Sequence, residues 1–245
     1  MVNIDTVYQR VLAIANKEQR GYITPLEFNL FANQAQLIVF EQYFYDRNQS
    51  ARVPGSKINH SDVDSMLDEK ISIFEKFDIP LDVNLSGATF LPSDVYRLDS
   101  IVYLHADPYL AKSGVIYYEC TEVSAKDWLY IQNAPLLKPT DSRPIYIRTE
   151  GGEIFAHGNN NELLKTLNCN YIKQPYKVEW GYDVVGEKAL YNASPLKTTH
   201  FQHHPSDETE LVMRILELAG IAINRPDLHQ AAMVDKQMIK QEQNN

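Results

Sequence analysis

Cysteine is nearly missing from this chain: Cys120 and Cys169 are the only two among 245 residues. Two thiols cannot build a disulfide scaffold or a four-cysteine zinc site, and they read as small half-buried hydrophobes in a reducing compartment. Long hydrophobic runs are missing too, with nothing near the roughly 18 consecutive apolar residues of a membrane-crossing helix. The opening MVNIDTVYQR has no basic start followed by an apolar run, so no secretory signal is expected. A basic excess is the third absence. The chain has 23 Lys and Arg against 32 Asp and Glu, a net charge of −9 that is spread evenly along its length. Tight nucleic-acid binding needs a basic stripe to neutralise phosphates, and none is present. Also absent are a phosphate-cradling glycine loop, a nucleophile-elbow serine and a two-histidine zinc helix. The run DVDSMLDE, starting at Asp62, superficially resembles a calcium loop. It has Leu67 where the sharp turn needs glycine and Ile73 where the bidentate glutamate belongs, which rules it out.

What remains is the composition of a folded protein, 44% hydrophobic and 22% charged, with an excess of fifteen tyrosines. Tyrosine joins a large apolar body to a polar tip, which suits half-buried surfaces and interfaces, and it is equally at home in plain β-sheets. A first helix is expected from about Asn3 to Glu18, with Val7, Val11, Ile14 and Ala15 on one stripe and Gly21 ending it. The second helix has a clear start: Thr24 caps, Pro25 takes the first helical position and Glu27 closes a capping box. It should run to about Arg47. VPGSKINH (53–60) reads as a loop, and a third helix from Ser61 carries Val63, Leu67, Ile71 and Phe74 until Pro80 stops it.

From about Leu81 the period changes to that of strands, in SIVYLH (100–105), GVIYYECTEV (114–123), RPIYIRTE (143–150) and YKVEWGY (176–182). Gly151 and Gly152 suit a hairpin turn, and Ser124 caps a short helix over 124–133. The helical period returns at Ser206, with acidic residues in the first turns, and finishes at Gly220. A polar helix restarts near Pro226. The expected fold is therefore α+β, with N- and C-terminal helices (1–80 and 205–245) forming one helical bundle and an antiparallel β-rich domain (81–204) inserted between them.

On a wheel at 100° per residue the second helix is apolar on two opposite faces. Phe28, Phe31, Ala35 and Ile38 form one, and Leu26, Leu30, Leu37 and Phe44 the other. Burying the second set is worth on the order of 6 to 12 kcal/mol before entropy. Either the chain's own C-terminal helices or a neighbouring subunit must supply the cover. Leu26, Leu30, Leu37 and Phe44 are thus the candidate subunit-interface residues. The cluster His200, His203, His204, Asp207 and Glu208 contains suitable metal-ligand types, but its spacing matches no tetrahedral pattern. The simpler account is that the two acids favour the helix dipole while the histidines are solvated or touch a neighbour, with sensitivity near pH 6 as a consequence. No metal, cofactor or catalytic residue is expected.

Residues 11–49, VLAIANKEQRGYITPLEFNLFANQAQLIVFEQYFYDRNQ, together with 204–232, HPSDETELVMRILELAGIAINRPDLHQAA, resemble a family of virion proteins of crAss-like and related tailed phages of Bacteroidetes hosts. The resemblance covers about a third of the chain and leaves the β region untouched. It implies a structural, non-enzymatic ring or adaptor of the head-to-tail connector, through which DNA passes without specific binding. Its implied partners are further copies of itself, about twelve in related short-tailed phages, the portal protein and other connector or tail proteins. The implied location is the virion, after assembly in the host cytoplasm. Twelve such chains would sum to about −108, a charge suited to a channel along which DNA slides without sticking. A different reading is a tyrosine-rich β binding module that recognises a tail fibre or glycan.

Overall fold

Thr24 starts the longest helix in the way its sequence spacing predicts. Its main-chain N–H donates to the Glu27 carboxylate at 2.9 Å, and the Glu27 N–H donates back to the Thr24 hydroxyl at 3.3 Å. Pro25 then opens helix α2, Pro25–Ser50. The computed structural model describes residues 1–17, 23–50, 57–84, 87–106, 114–149 and 152–222. Gly21, Gly151 and the helix expected from Pro226 lie outside them. The chain divides into two compact units, Met1–Ile73 with Pro175–Asn245, and Phe74–Gln174.

The first unit contains α1 (Ile4–Lys17), α2, α3 (Lys57–Ser72) and α5 (Glu208–Ala222), together with the small hairpin β8 (Tyr182–Val185) and β9 (Lys188–Tyr191). Its buried apolar residues include Ile4, Val7, Val11, Phe28, Val39, Phe40, Leu211 and Ile215. These fall at helical spacing because each helix turns one stripe inward. Extended chain completes this core, through Val178, Trp180 and Phe201. Trp180 packs at a tilt against Tyr8 with ring centroids 4.3 Å apart, and its indole N–H donates to Asp5 at 2.9 Å.

The second unit is a seven-stranded mixed sheet curled into a half-barrel. Its strands are β1 (Glu75–Leu81), β2 (Thr89–Phe90), β3 (Val95–Ala106), β4 (Val115–Glu122), β5 (Ile145–Arg148), β6 (Glu153–His157) and β7 (Leu167–Lys173), in the order β1-β7-β3-β4-β5-β6-β2. All neighbours are antiparallel except β4 and β5. Strand β7 alternates strictly, with Leu167, Cys169, Tyr171 and Lys173 buried and the residues between them half-exposed. Leu167, Cys169 and Tyr171 form the core of the sheet with Ile101, Cys120, Ile154 and Ala156. Helix α4, Ala125–Asn133, follows β4, and the Ser124 hydroxyl caps it by accepting from the Asp127 N–H at 3.1 Å.

The expected architecture of one terminal helical bundle around an inserted antiparallel β domain is not what forms. The molecule is mostly the curled mixed sheet, accompanied by a few helices. One cause lies on α2, in the side-chain amides of Asn29, Asn33 and Gln36. They bind the main chain of an extended segment. Asn29 accepts from the Trp180 N–H at 2.8 Å, and Asn33 accepts from the Val178 N–H at 3.0 Å and donates to the Val178 carbonyl at 2.8 Å. Gln36 donates to the Tyr176 carbonyl at 2.8 Å. Steps of four and three along the helix meet steps of two along the extended chain, so the helix acts as a neighbouring strand would. YKVEWGY, expected as a strand of the β domain, is thereby held on a helix of the first unit. A second cause lies at Pro80, which sits inside β1 rather than stopping α3. β1 is an outer strand paired only with β7, the position in a sheet where proline is tolerated.

Candidate assembly surface

The four residues expected at a subunit interface do not share one environment. Leu26 and Leu30 are 66% and 64% exposed. Leu37 and Phe44 are half-buried, and Phe44 packs edge-to-face on Phe40 with centroids 5.1 Å apart. On the opposite face of α2, Phe28 and Ala35 are fully buried, as are neighbouring Ala32 and Val39, whereas Phe31 and Ile38 are half-buried. The helix is thus anchored by one face and by its amide edge, while the first turns of the other face present leucine to solvent. Beside those leucines Glu27 is exposed too, its carboxylate held by the Thr24 N–H and hydroxyl.

A second apolar surface in the same unit was not anticipated from the sequence. In the β8–β9 hairpin, Val185 pairs with Lys188 and Asp183 with Leu190. Directly paired residues share a side, so these four form one face, while Tyr182, Val184, Ala189 and Tyr191 form the other. Tyr182 and Tyr191 stack on Trp180, each with centroids 5.7 Å away. The opposite face carries Val185 and Leu190, 60% and 52% exposed, beside exposed Lys188. The tight turn uses Gly186 and Glu187, both at positive φ (55° and 66°). That glutamate position hides the turn from a search for Asn-Gly or Gly-Gly signals.

The histidine cluster is taken apart by the fold. His200 accepts the Ile4 N–H at 3.3 Å, and His204 accepts the Ser206 N–H at 3.3 Å as a helix cap. His203 is fully buried beside Tyr43, and burial pushes its imidazole down to about 4, against an opposing pull from Asp207. Glu208 pairs with Arg10 at 2.7 Å. Among the described residues no three His, Cys, Asp or Glu side chains are grouped to hold a metal ion.

Asp207 does not simply face the helix dipole. It is buried and accepts from both the Tyr43 hydroxyl and the Lys70 ammonium, each at 2.7 Å. Burial and this carboxylate raise the Tyr43 phenol far above its ordinary range. The network joins α2, α3 and the turn into α5. Nothing in the sequence pattern links these residues, which are 27 and 137 positions apart along the chain.

Burial also silences the thiols, pushing Cys120 up to about 12 and Cys169 up to about 11, so neither is a ready nucleophile. Both pair in register with Ile101, from strands on opposite sides of β3. Two strand spacings, roughly 9 to 10 Å, separate them, beyond disulfide reach. An open depression in the sheet unit is lined by Tyr96, Arg97, Glu122 and Arg148. Among the described residues no helix is long and apolar enough to cross a membrane. No protein-family model matches the chain, and neither does any curated protein.

Proposed function

We propose that this chain is a non-enzymatic structural component of a tailed-phage head-to-tail connector, assembling into a ring around the DNA channel between portal and tail. Its work there is genome retention and ejection. The observation that carries this reading is the solvent-facing pair Leu26 and Leu30 on a capped, firmly anchored helix. Two leucines held on a rigid support are worth about 3 to 6 kcal/mol if a neighbour covers them, a strong drive to association when repeated around a ring. The likeness of residues 11–49 and 204–232 to connector proteins of crAss-like phages supplies the setting. The partners are further copies, about twelve as in related adaptors, and the portal and adjoining tail proteins. The protein acts in the virion, after assembly in the host cytoplasm. Net acidity suits a channel wall that DNA passes without specific binding.

Sedimentation of the purified 28.1 kDa chain tests this reading. The wild type should form a large species, and Leu26→Asp with Leu30→Asp should leave a folded monomer. A wild type that stays monomeric at every concentration, and whose double variant still enters virions, would overturn it. The depression lined by Tyr96, Arg97 and Arg148 favours a second reading, a tyrosine-rich β module that binds a tail fibre or glycan. That reading requires ligand binding by the monomer, lost on Tyr96→Ala.

A further inference from the structure

We infer that the cleft where β3 and β4 part takes an extended, acidic peptide segment of a partner protein, which fills the strand position that β4 vacates. The inference gives the depression of the second reading above its ligand, and it holds whether or not the chain forms a ring. Strand β3 meets β4 only from Ile101 onward, where it pairs with Cys120. Its first half, residues 95–100, pairs with β7 on one side and has no ladder partner on the β4 side among the described residues. Two bulges against β7, between Val95 and Arg97 and between Leu98 and Ser100, bend the strand there. Strand β4 ends at Glu122 beside β5, and α4 turns away, its Trp128 stacked on His157 of β6 at 4.4 Å. Strand β5 runs on past that end to Arg148.

The place of one strand is therefore vacant between β3 and β5, roughly 9 to 10 Å across at ordinary strand spacing. An unpaired strand edge is a template for an added strand, and main-chain pairing selects a peptide over a sugar. Charge selects the kind of peptide. Arg97 on β3 makes no ion pair among the described residues, and Arg148 on β5 reaches Glu122 only at 3.6 Å, with both of those side chains about half exposed. Glu122 also accepts from the Tyr146 hydroxyl at 3.0 Å, so the one carboxylate lining the depression is engaged and two cations face it. Asp99 lies outside that lining. In a chain of net charge −9 this is a locally positive site, and Tyr96 and Leu98 beside it offer apolar surface to the side chains of the peptide.

The test is titration of the full chain at low salt with fluorescent octapeptides, followed by anisotropy and hydrogen exchange. The probes are alternating valine–glutamate peptides in both phases, their valine–lysine counterparts, N-methylated forms of the acidic peptides, and oligogalacturonate as an acidic sugar. The acidic peptides should bind saturably and protect those amides of residues 96–100 and Arg148 that exchange freely in the chain alone. The lysine and N-methylated peptides should bind several-fold more weakly, and Arg97→Glu with Arg148→Glu should reverse the preference for charge. Both arginines are exposed, so this variant should unfold at the wild-type midpoint, and its loss of acidic peptide is then not a loss of fold. The absence of saturable binding by every acidic peptide would overturn the inference. Equal binding of the N-methylated forms would do so too, since it would reduce the contact to charge without strand pairing. So would protection of the same amides by oligogalacturonate and not by peptide, in which case the binding module stands and only its ligand is wrong.

Discussion

Asp207 ties α2 and α3 to the turn into α5 through one buried carboxylate. A buried carboxylate that satisfies a phenol and an ammonium leaves both stranded when it is removed. Asp207→Asn should therefore cost about 3 kcal/mol or more, and Lys70→Met a comparable amount. Asp207→Leu with Lys70→Met should recover much of the loss, because no unpaired charge then stays inside. Urea midpoints of the three variants check this. His203 sets an acid limit. Its folded value of about 4 lies below the ordinary 6.5, so the unfolded chain takes up the proton first as pH falls. The stabilisation is fully present above pH 6.5 and is lost on the way down to 4, about 3 kcal/mol in all. Burial holds the Glu210 carboxyl above its usual range, and this works in the opposite sense. The difference between wild type and His203→Gln, followed from pH 7 to 4, isolates the imidazole: wild-type stability should fall relative to the variant.

At the scale of elements, α2 does three separate things with three sides. One side fills the core, a second presents leucine to solvent, and the amide edge holds the 176–180 segment as a strand would. Asn33→Ala would leave the Val178 N–H and carbonyl without their partners, at a cost of about 2 kcal/mol. Hydrogen exchange should show Val178 and Trp180 opening before the amides of α2 do. The cap is worth less: Thr24→Ala should lower stability by about 1 kcal/mol, measured by thermal unfolding. Gly181 shows how tightly the extended segment is seated, since a Cβ there would meet the Lys197 carbonyl.

For the whole molecule, the informative variant is one that changes assembly and not folding. Leu26→Asp with Leu30→Asp alters only exposed positions, so the monomer's stability should stay within about 0.5 kcal/mol per site of wild type. Loss of the large species on sedimentation, with an unchanged unfolding midpoint, would separate the two effects. The even spread of the −9 charge works against assembly, since copies brought together must overcome mutual repulsion. Raising the salt concentration should favour the assembled form.

Local signals in the sequence were sufficient for the caps at Thr24 and Ser124, the inward stripe of α1 and the strand character of β3, β4 and β5, because each depends on residues within a turn or a few positions. They also showed α2 to be apolar on two sides. Tertiary structure decided which of those sides is covered, since exposure depends on what arrives from elsewhere in the chain. Besides α3 and α5, an extended segment came to lie on α2 because side-chain amides can satisfy a main chain as well as water can. The curled sheet, the buried Asp207 with its two donors and the hairpin face at Val185 and Leu190 likewise depend on partners distant in the chain, which no local period encodes.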